Sequence, residues 1–135
     1  MKTKEEYANL ASSYYESGYN CCQGVVLAYS DVLGIDKELL LRMSSSFGGG
    51  MGKMGEVCGA VSGMFMVLGL LEGNTDPKNA DAKMAHYANV RKLADEFKEK
   101  NGNLRCRDLL LDGNKKKCTL LVSECAKILF DYINK

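Results

Sequence analysis

The sequence predicts an all-α protein, a single compact bundle of about six helices spanning residues 1–135 as one domain. Three observations carry that expectation. Apolar residues recur at helical spacing in each long segment, turn and cap signals cut the chain into helix-length pieces, and no segment shows a strand-turn-strand pattern. A chain of 135 residues, 46% hydrophobic and 26% charged with one proline, has the composition of one globular domain that buries a core without disulfide staples.

The first helix is expected from about Thr3 to Ser17, with Tyr7, Leu10, Ala11 and Tyr14 at helical spacing and Gly18 closing it. Asn20 can cap a second helix over residues 21–33, stopped by Gly34, and Asp36 a third over 37–46. A glycine-rich loop, Gly48 to Gly55, then leads into a fourth helix, on which Gly59 and Gly63 lie one turn apart on one face. Such a face lets another backbone approach closely, either inside the monomer or from a second copy in a homodimer.

Asn74-Thr75-Asp76-Pro77 reads as a helix start, with Asp76 as cap and Pro77 at the first helical position, where its missing donor costs nothing. This fifth helix runs to about Lys100 and is closed by Asn101-Gly102. His86, Val90, Leu93 and Phe97 share one apolar row on it, so the single histidine is read as a satisfied core residue with no catalytic role. A short helical turn follows Cys106. The last helix starts near Asn114 and carries Cys118, Leu121, Val122, Cys125, Leu129 and Tyr132 on one stripe.

Charge excludes some functions. Eighteen basic and 17 acidic residues give a net charge of +1 and are spread along the chain, which argues against nucleic acid as a partner. The one basic run, Lys115, Lys116 and Lys117, is too short for a polybasic segment and reads as a solvated helix start. The N-terminus mixes both charge signs where an export signal would be apolar, so a cytoplasmic location is expected. The most apolar stretch, Val57 to Leu71, falls short of the roughly 20 residues a spanning helix needs and is interrupted by glycines, so no membrane insertion is expected.

The chemistry is expected in the six cysteines. In a reducing compartment structural disulfides are disfavoured, leaving thiols for metal or redox work. Each cysteine taken alone reads as a small buried hydrophobe. There is no Cys-x-x-Cys pair, hence neither a thioredoxin-like motif nor a zinc knuckle. Cys21, Cys58, Cys106 and Cys118 nevertheless share a placement, in or just before the first turn of a helix, where free backbone donors and the dipole favour the thiolate. Four thiolates match the ligand count of an iron-sulfur cluster or a zinc ion, and two dithiols would suit a thiol-disulfide cycle.

Gly50, Gly52 and Gly55 spell Gly-x-Gly-x-x-Gly, but the loop follows a helix instead of a strand, so a dinucleotide site is rejected. A phosphate loop fails too, with Phe47 in place of its first glycine and Met54 in place of its serine or threonine. What remains is a flexible loop whose backbone donors can approach an anion such as a thiolate cluster, making Gly50, Gly52 and Lys53, with Gly59 behind Cys58, the candidate cofactor-contacting residues. Equally, the glycines can simply permit a tight turn between packed helices. Glu56 and Glu124, each near a cysteine, read as charged surface, and Met51, Met54, Met64 and Met66 as filling of loop and core gaps.

Asn20-Cys21-Cys22-Gln23, Phe47-Gly48-Gly49-Gly50-Met51-Gly52, Cys58-Gly59-Ala60-Val61-Ser62-Gly63, Cys106-Arg107-Asp108-Leu109-Leu110 and Cys118 together resemble a family assigned a redox role. That family is named for its Cys, Gly-Cys-Ala-x-x-Gly, Cys, Cys pattern, and the resemblance runs from about Tyr19 to the C-terminus. It implies a small helical protein with four signature cysteines, matched here by Cys21, Cys58, Cys106 and Cys118. Helical periodicity does not choose between Cys21 and Cys22; the resemblance picks Cys21 and leaves Cys22 and Cys125 to packing. The central motif here reads Cys-Gly-Ala, with the first two residues of the family's name reversed. A similar four-cysteine unit accompanies haem and an iron-sulfur cluster in split-Soret cytochromes. This chain lacks the Cys-x-x-Cys-His of covalent haem, so the resemblance carries over a cluster alone, two-iron by analogy, serving electron transfer with a redox partner. A metal-free thiol-disulfide oxidoreductase and a non-catalytic four-thiolate zinc module are the alternatives.

Overall fold

The computed structural model describes residues 1–114 and 116–135. It is all-helical: α1 (Lys4–Glu16), α2 (Cys21–Ala28), α3 (Ser30–Leu33), α4 (Lys37–Ser44), a 3₁₀ turn (Ser45–Phe47), α5 (Gly59–Glu72), α6 (Ala80–Asn101), α7 (Cys106–Leu109) and α8 (Lys117–Ile133). Among the described residues there is no strand; the one extended pairing is an isolated bridge between Val57 and Arg105.

Caps set the boundaries that matter. Thr3 and Glu6 form a reciprocal capping box that starts α1, and Asn20 and Gln23 form another that starts α2. In each box two orphan amides at the helix start are satisfied. Asp36 accepts from Leu39 and starts α4.

Three expected boundaries move. The second helix breaks at Tyr29, where the backbone amide bonds the carbonyl of Val26, three residues back, at 3.2 Å. Tyr29 is anchored there, stacked on Tyr7 with ring centroids 4.3 Å apart and donating its hydroxyl to the Ala126 carbonyl of α8 at 2.5 Å. The fifth expected helix starts at Ala80 and not at Pro77. Asp76 to Asn79 make a separate turn, and Asn79 accepts from Ala82 as the true cap. The last helix starts at Lys117, and ahead of it the Asn114 side chain accepts from the Lys116 amide. Lys115, part of the basic run, lies outside the described residues.

The core is laid down by α1, α2, α5 and α8, with α2 wedged between α1 and α5. Small residues make that wedge possible. A Cβ on Gly63 would lie 2.8 Å from the Cys22 carbonyl, so the glycine face of α5 packs inside the chain against α2. Buried around it are Ala11, Val25, Val61, Met64, Leu68, Val122 and Leu129.

Only the C-terminal half of α6 joins this core. Leu93 and Phe97 are buried, His86 and Val90 are half-buried, and Met84 and Tyr87 are exposed. His86 is not the satisfied core residue expected: its Nδ1 is buried with no hydrogen-bond partner among the described residues. No helix among the described residues is long and apolar enough to cross a membrane.

Candidate cysteine site

The Asn20 box fixes Cys21 as the first residue of α2. Cys58 is the N-cap of α5, Cys106 opens α7 and Cys118 is the second residue of α8. The common placement at helix starts is therefore observed, and the fold brings the four starts together. Cys21, Cys58, Cys106 and Cys118 all line one cavity of about 600 Å³.

Two glycines let the cysteines approach. A Cβ on Gly59 would collide with the sulfur of Cys21 and come within 2.8 Å of the Phe47 carbonyl. The order Cys58-Gly59 thus places the residue without a side chain where Cys21 needs the room. At Gly50 a Cβ would meet the Glu56 amide at 2.6 Å and the Cys106 Cβ at 2.7 Å. Gly50 does not line the cavity, whereas Gly52, Lys53 and Gly59 do.

The glycine loop is wound the left-handed way. Gly49, Gly50, Met51, Gly52 and Lys53 have successive φ values of 65°, 73°, 66°, 56° and 62°, a region costly for residues with a Cβ. Its amides are turned inward: those of Gly52 and Lys53 donate to the carbonyls of Ser46 and Gly48 at 2.8 and 3.0 Å, and those of Gly55 and Glu56 to Gly49 and Gly50 at 3.1 and 3.0 Å. These donors are not available to an anion, contrary to the expectation from sequence. The loop contributes Gly48, Gly49, Gly52, Lys53 and Gly55 to the cavity wall instead.

A backbone clasp joins this loop to the segment before α7. Cys58 donates to Leu104 at 2.8 Å, Cys106 to Glu56 at 2.6 Å and Arg107 to Gly55 at 3.1 Å. Glu56, read from sequence as plain surface, is the brace: its carboxylate pairs with Arg105 at 3.2 Å and Arg107 at 3.6 Å. Arg107 also donates to the Met54 carbonyl at 2.9 Å.

Burial governs the thiols. It pushes Cys58 up to about 12, helped by Cys21; the amides of Val61 and Ala60 pull the other way, and Cys106 pushes again. Cys106 is raised by burial and by Cys21 and Cys118. Helix starts alone therefore do not make these two groups thiolates, as position in sequence suggests; a cation among them would, because it reverses the mutual repulsion.

One member of the site was invisible in the sequence. Tyr15 of α1 lines the cavity, and its hydroxyl hydrogen-bonds the Cys118 side chain; burial first, then Cys118, Cys21 and Cys106, push it up to about 12. Neither Cys22 nor Cys125 lines the cavity. Both are fully buried, with the Cys22 sulfur 3.8 Å from that of Met66.

Among the described residues the lining carries two cations, Lys53 and Arg107, and no carboxylate. Among the described residues no three His, Cys, Asp or Glu side chains converge closely enough to hold one metal ion. Residues 19–132 match the sequence model of a family described as "Putative redox-active protein (C_GCAxxG_C_C)". No curated protein and no solved structure matches the chain.

Proposed function

The chain belongs to this redox-active cysteine family, and from that premise we propose that Cys21, Cys58, Cys106 and Cys118 hold an iron-sulfur cluster, of two-iron type by analogy, for electron transfer. The observation that carries this reading is the meeting of four cysteines from four separate helix starts on one cavity.

The donor set and the space fit such a group. Ligands of a cluster sit farther apart than ligands of one ion because they bind different irons, and these cysteines surround a cavity without converging on a point. A cluster held by four thiolates is an anion, and among the described residues of the wall Lys53 and Arg107 carry positive charge. When bound, the cluster would supply one-electron transfer. The chain's own part is to hold and tune it: Cys21 and Cys58 are buried, Cys106 and Cys118 half-exposed, and the Tyr15 hydroxyl hydrogen-bonds the Cys118 side chain.

Protein purified under strict anaerobiosis should be coloured and contain iron and acid-labile sulfide, and Cys58→Ser should lose both. Colourless, iron-free protein from such a preparation would sink the reading. A metal-free thiol-disulfide oxidoreductase is the second reading, favoured by the half-exposure of Cys106 and Cys118 beside two buried partners. It requires a cysteine pair that equilibrates with dithiol buffers. A four-thiolate zinc module stands third, since zinc needs its ligands drawn around one ion.

A further inference from the structure

The cavity is larger than a four-cysteine site needs. Its volume of about 600 Å³ lies within the range of about 300–1,000 Å³ typical of pockets for small organic molecules. A cluster of a few inorganic atoms fills a fraction of that space. The remaining wall divides by chemistry. Leu109, Leu110 and Leu121 are apolar and Lys53 and Arg107 cationic; among the described residues no carboxylate lines the cavity, Glu56 pairing with Arg107 from outside the lining.

The cationic part is built, not incidental. Arg107 is held from two sides, by the Met54 carbonyl at 2.9 Å and the Glu56 carboxylate at 3.6 Å. Lys53 adopts a left-handed backbone, φ 62°, in a loop whose other turns are mostly glycine. Residues with a Cβ persist in that conformation where the surroundings over-determine it, and they cluster at ligand sites.

We propose that this cavity binds a small organic anion. Its apolar body lies against Leu109, Leu110 and Leu121, and its carboxylate, sulfonate or phosphate group against Lys53 and Arg107, so that it faces the cysteines. The inference rests on the four cysteines forming the working site and is independent of what they hold.

The test uses the anaerobically isolated full chain with two fluorescent probes, anionic 8-anilinonaphthalene-1-sulfonate and its neutral counterpart N-phenyl-1-naphthylamine. One anionic probe should bind per chain and, in a portion of the same protein freed of metal with a chelator, should slow alkylation of Cys106 and Cys118. Lys53→Met with Arg107→Met should weaken the anionic probe about tenfold or more, as loss of charge-assisted hydrogen bonds does, and leave the neutral probe within about twofold. Leu110→Trp should displace both by filling the apolar end. If the double variant fails to fold, Lys53→Met alone should still weaken the anionic probe selectively. No binding, binding that leaves the two cysteines unprotected, or equal loss of both probes in the charge variants overturns the proposal. Iron and sulfide are assayed separately on the same preparation, so protein that binds the anion but lacks iron counts against the cluster alone.

Discussion

The Cα of Gly59 lies against the sulfur of Cys21, leaving no room for even a methyl group between α5 and the start of α2. Gly59→Ala should therefore cost about 1–3 kcal/mol by overpacking, read as a lower urea midpoint, and should displace the Cys21 thiol from the cavity. Gly63→Ala, which meets the Cys22 carbonyl at 2.8 Å, should cost a similar amount without moving a cavity residue. Gly69, on the same helix, has nothing within 4 Å of its would-be Cβ, and Gly69→Ala should stabilise by about 0.5–1 kcal/mol. Equal effects at all three positions would refute the packing described for α5.

The left-handed loop makes a second, paired prediction. Gly50→Ala combines positive φ with a Cβ 2.7 Å from that of Cys106 and should destabilise by about 2 kcal/mol or more. Met51→Gly relieves a positive φ of 66° and, net of the extra freedom of the unfolded chain, should fall within about 1 kcal/mol of neutral. Thermal unfolding of the two variants side by side checks it.

Alkali should unfold the protein through its buried thiols. Cys22 is pushed up to about 12 and Cys125 is raised as well, in each case first by burial, and in the metal-free protein Cys58 and Cys106 are raised with them. Below about pH 8.5 the thiols are protonated in both states and stability is unaffected by them. Above that the unfolded chain releases protons which the native state keeps, so stability falls as pH rises toward the folded values, by about 1.4 kcal/mol per pH unit for each such thiol. Cys125→Ala should remove one proton's worth of that slope between pH 9 and 11, read from denaturation curves at several pH values.

Tyr15→Phe removes the hydroxyl that bonds Cys118 without changing the shape of α1. The Cys118 thiol should then react more slowly with a neutral alkylating agent, since its thiolate, the nucleophile, loses a donor. With a cluster loaded, its reduction potential should fall, because hydrogen bonds to ligand sulfur stabilise the more negative, reduced form. An unchanged alkylation rate and an unchanged potential would remove Tyr15 from the site.

Much of the fold was legible because its helix starts are written locally. Thr3 with Glu6, and Asn20 with Gln23, are boxes three residues apart, and the latter also fixes the angular position of Cys21. The start of α6 is ambiguous in sequence because Asp76-Pro77 and Asn79 are both good caps. The turn takes the first and the helix the second. The four cysteines could be grouped by their common placement, yet their meeting depends on α7 and α8 docking beside the glycine loop, which no local signal encodes. Tyr15 carried no signal at all, since only the packing of α1 on α8 brings it to Cys118. The inward-turned amides of the loop were hidden for the same reason: composition marks a glycine run as permissive but does not give its handedness.

The clasp between residues 55–58 and 104–107 bears on the chain's birth as well as its finished form. A ribosome releases the N-terminal half, with Cys21 and Cys58, well before residues 104–107 emerge, and Cys118 later still. Contacts so distant in sequence close last. The newborn polypeptide therefore passes through an interval in which two thiols exist without their counterparts, and the quartet is complete only once residue 118 has emerged.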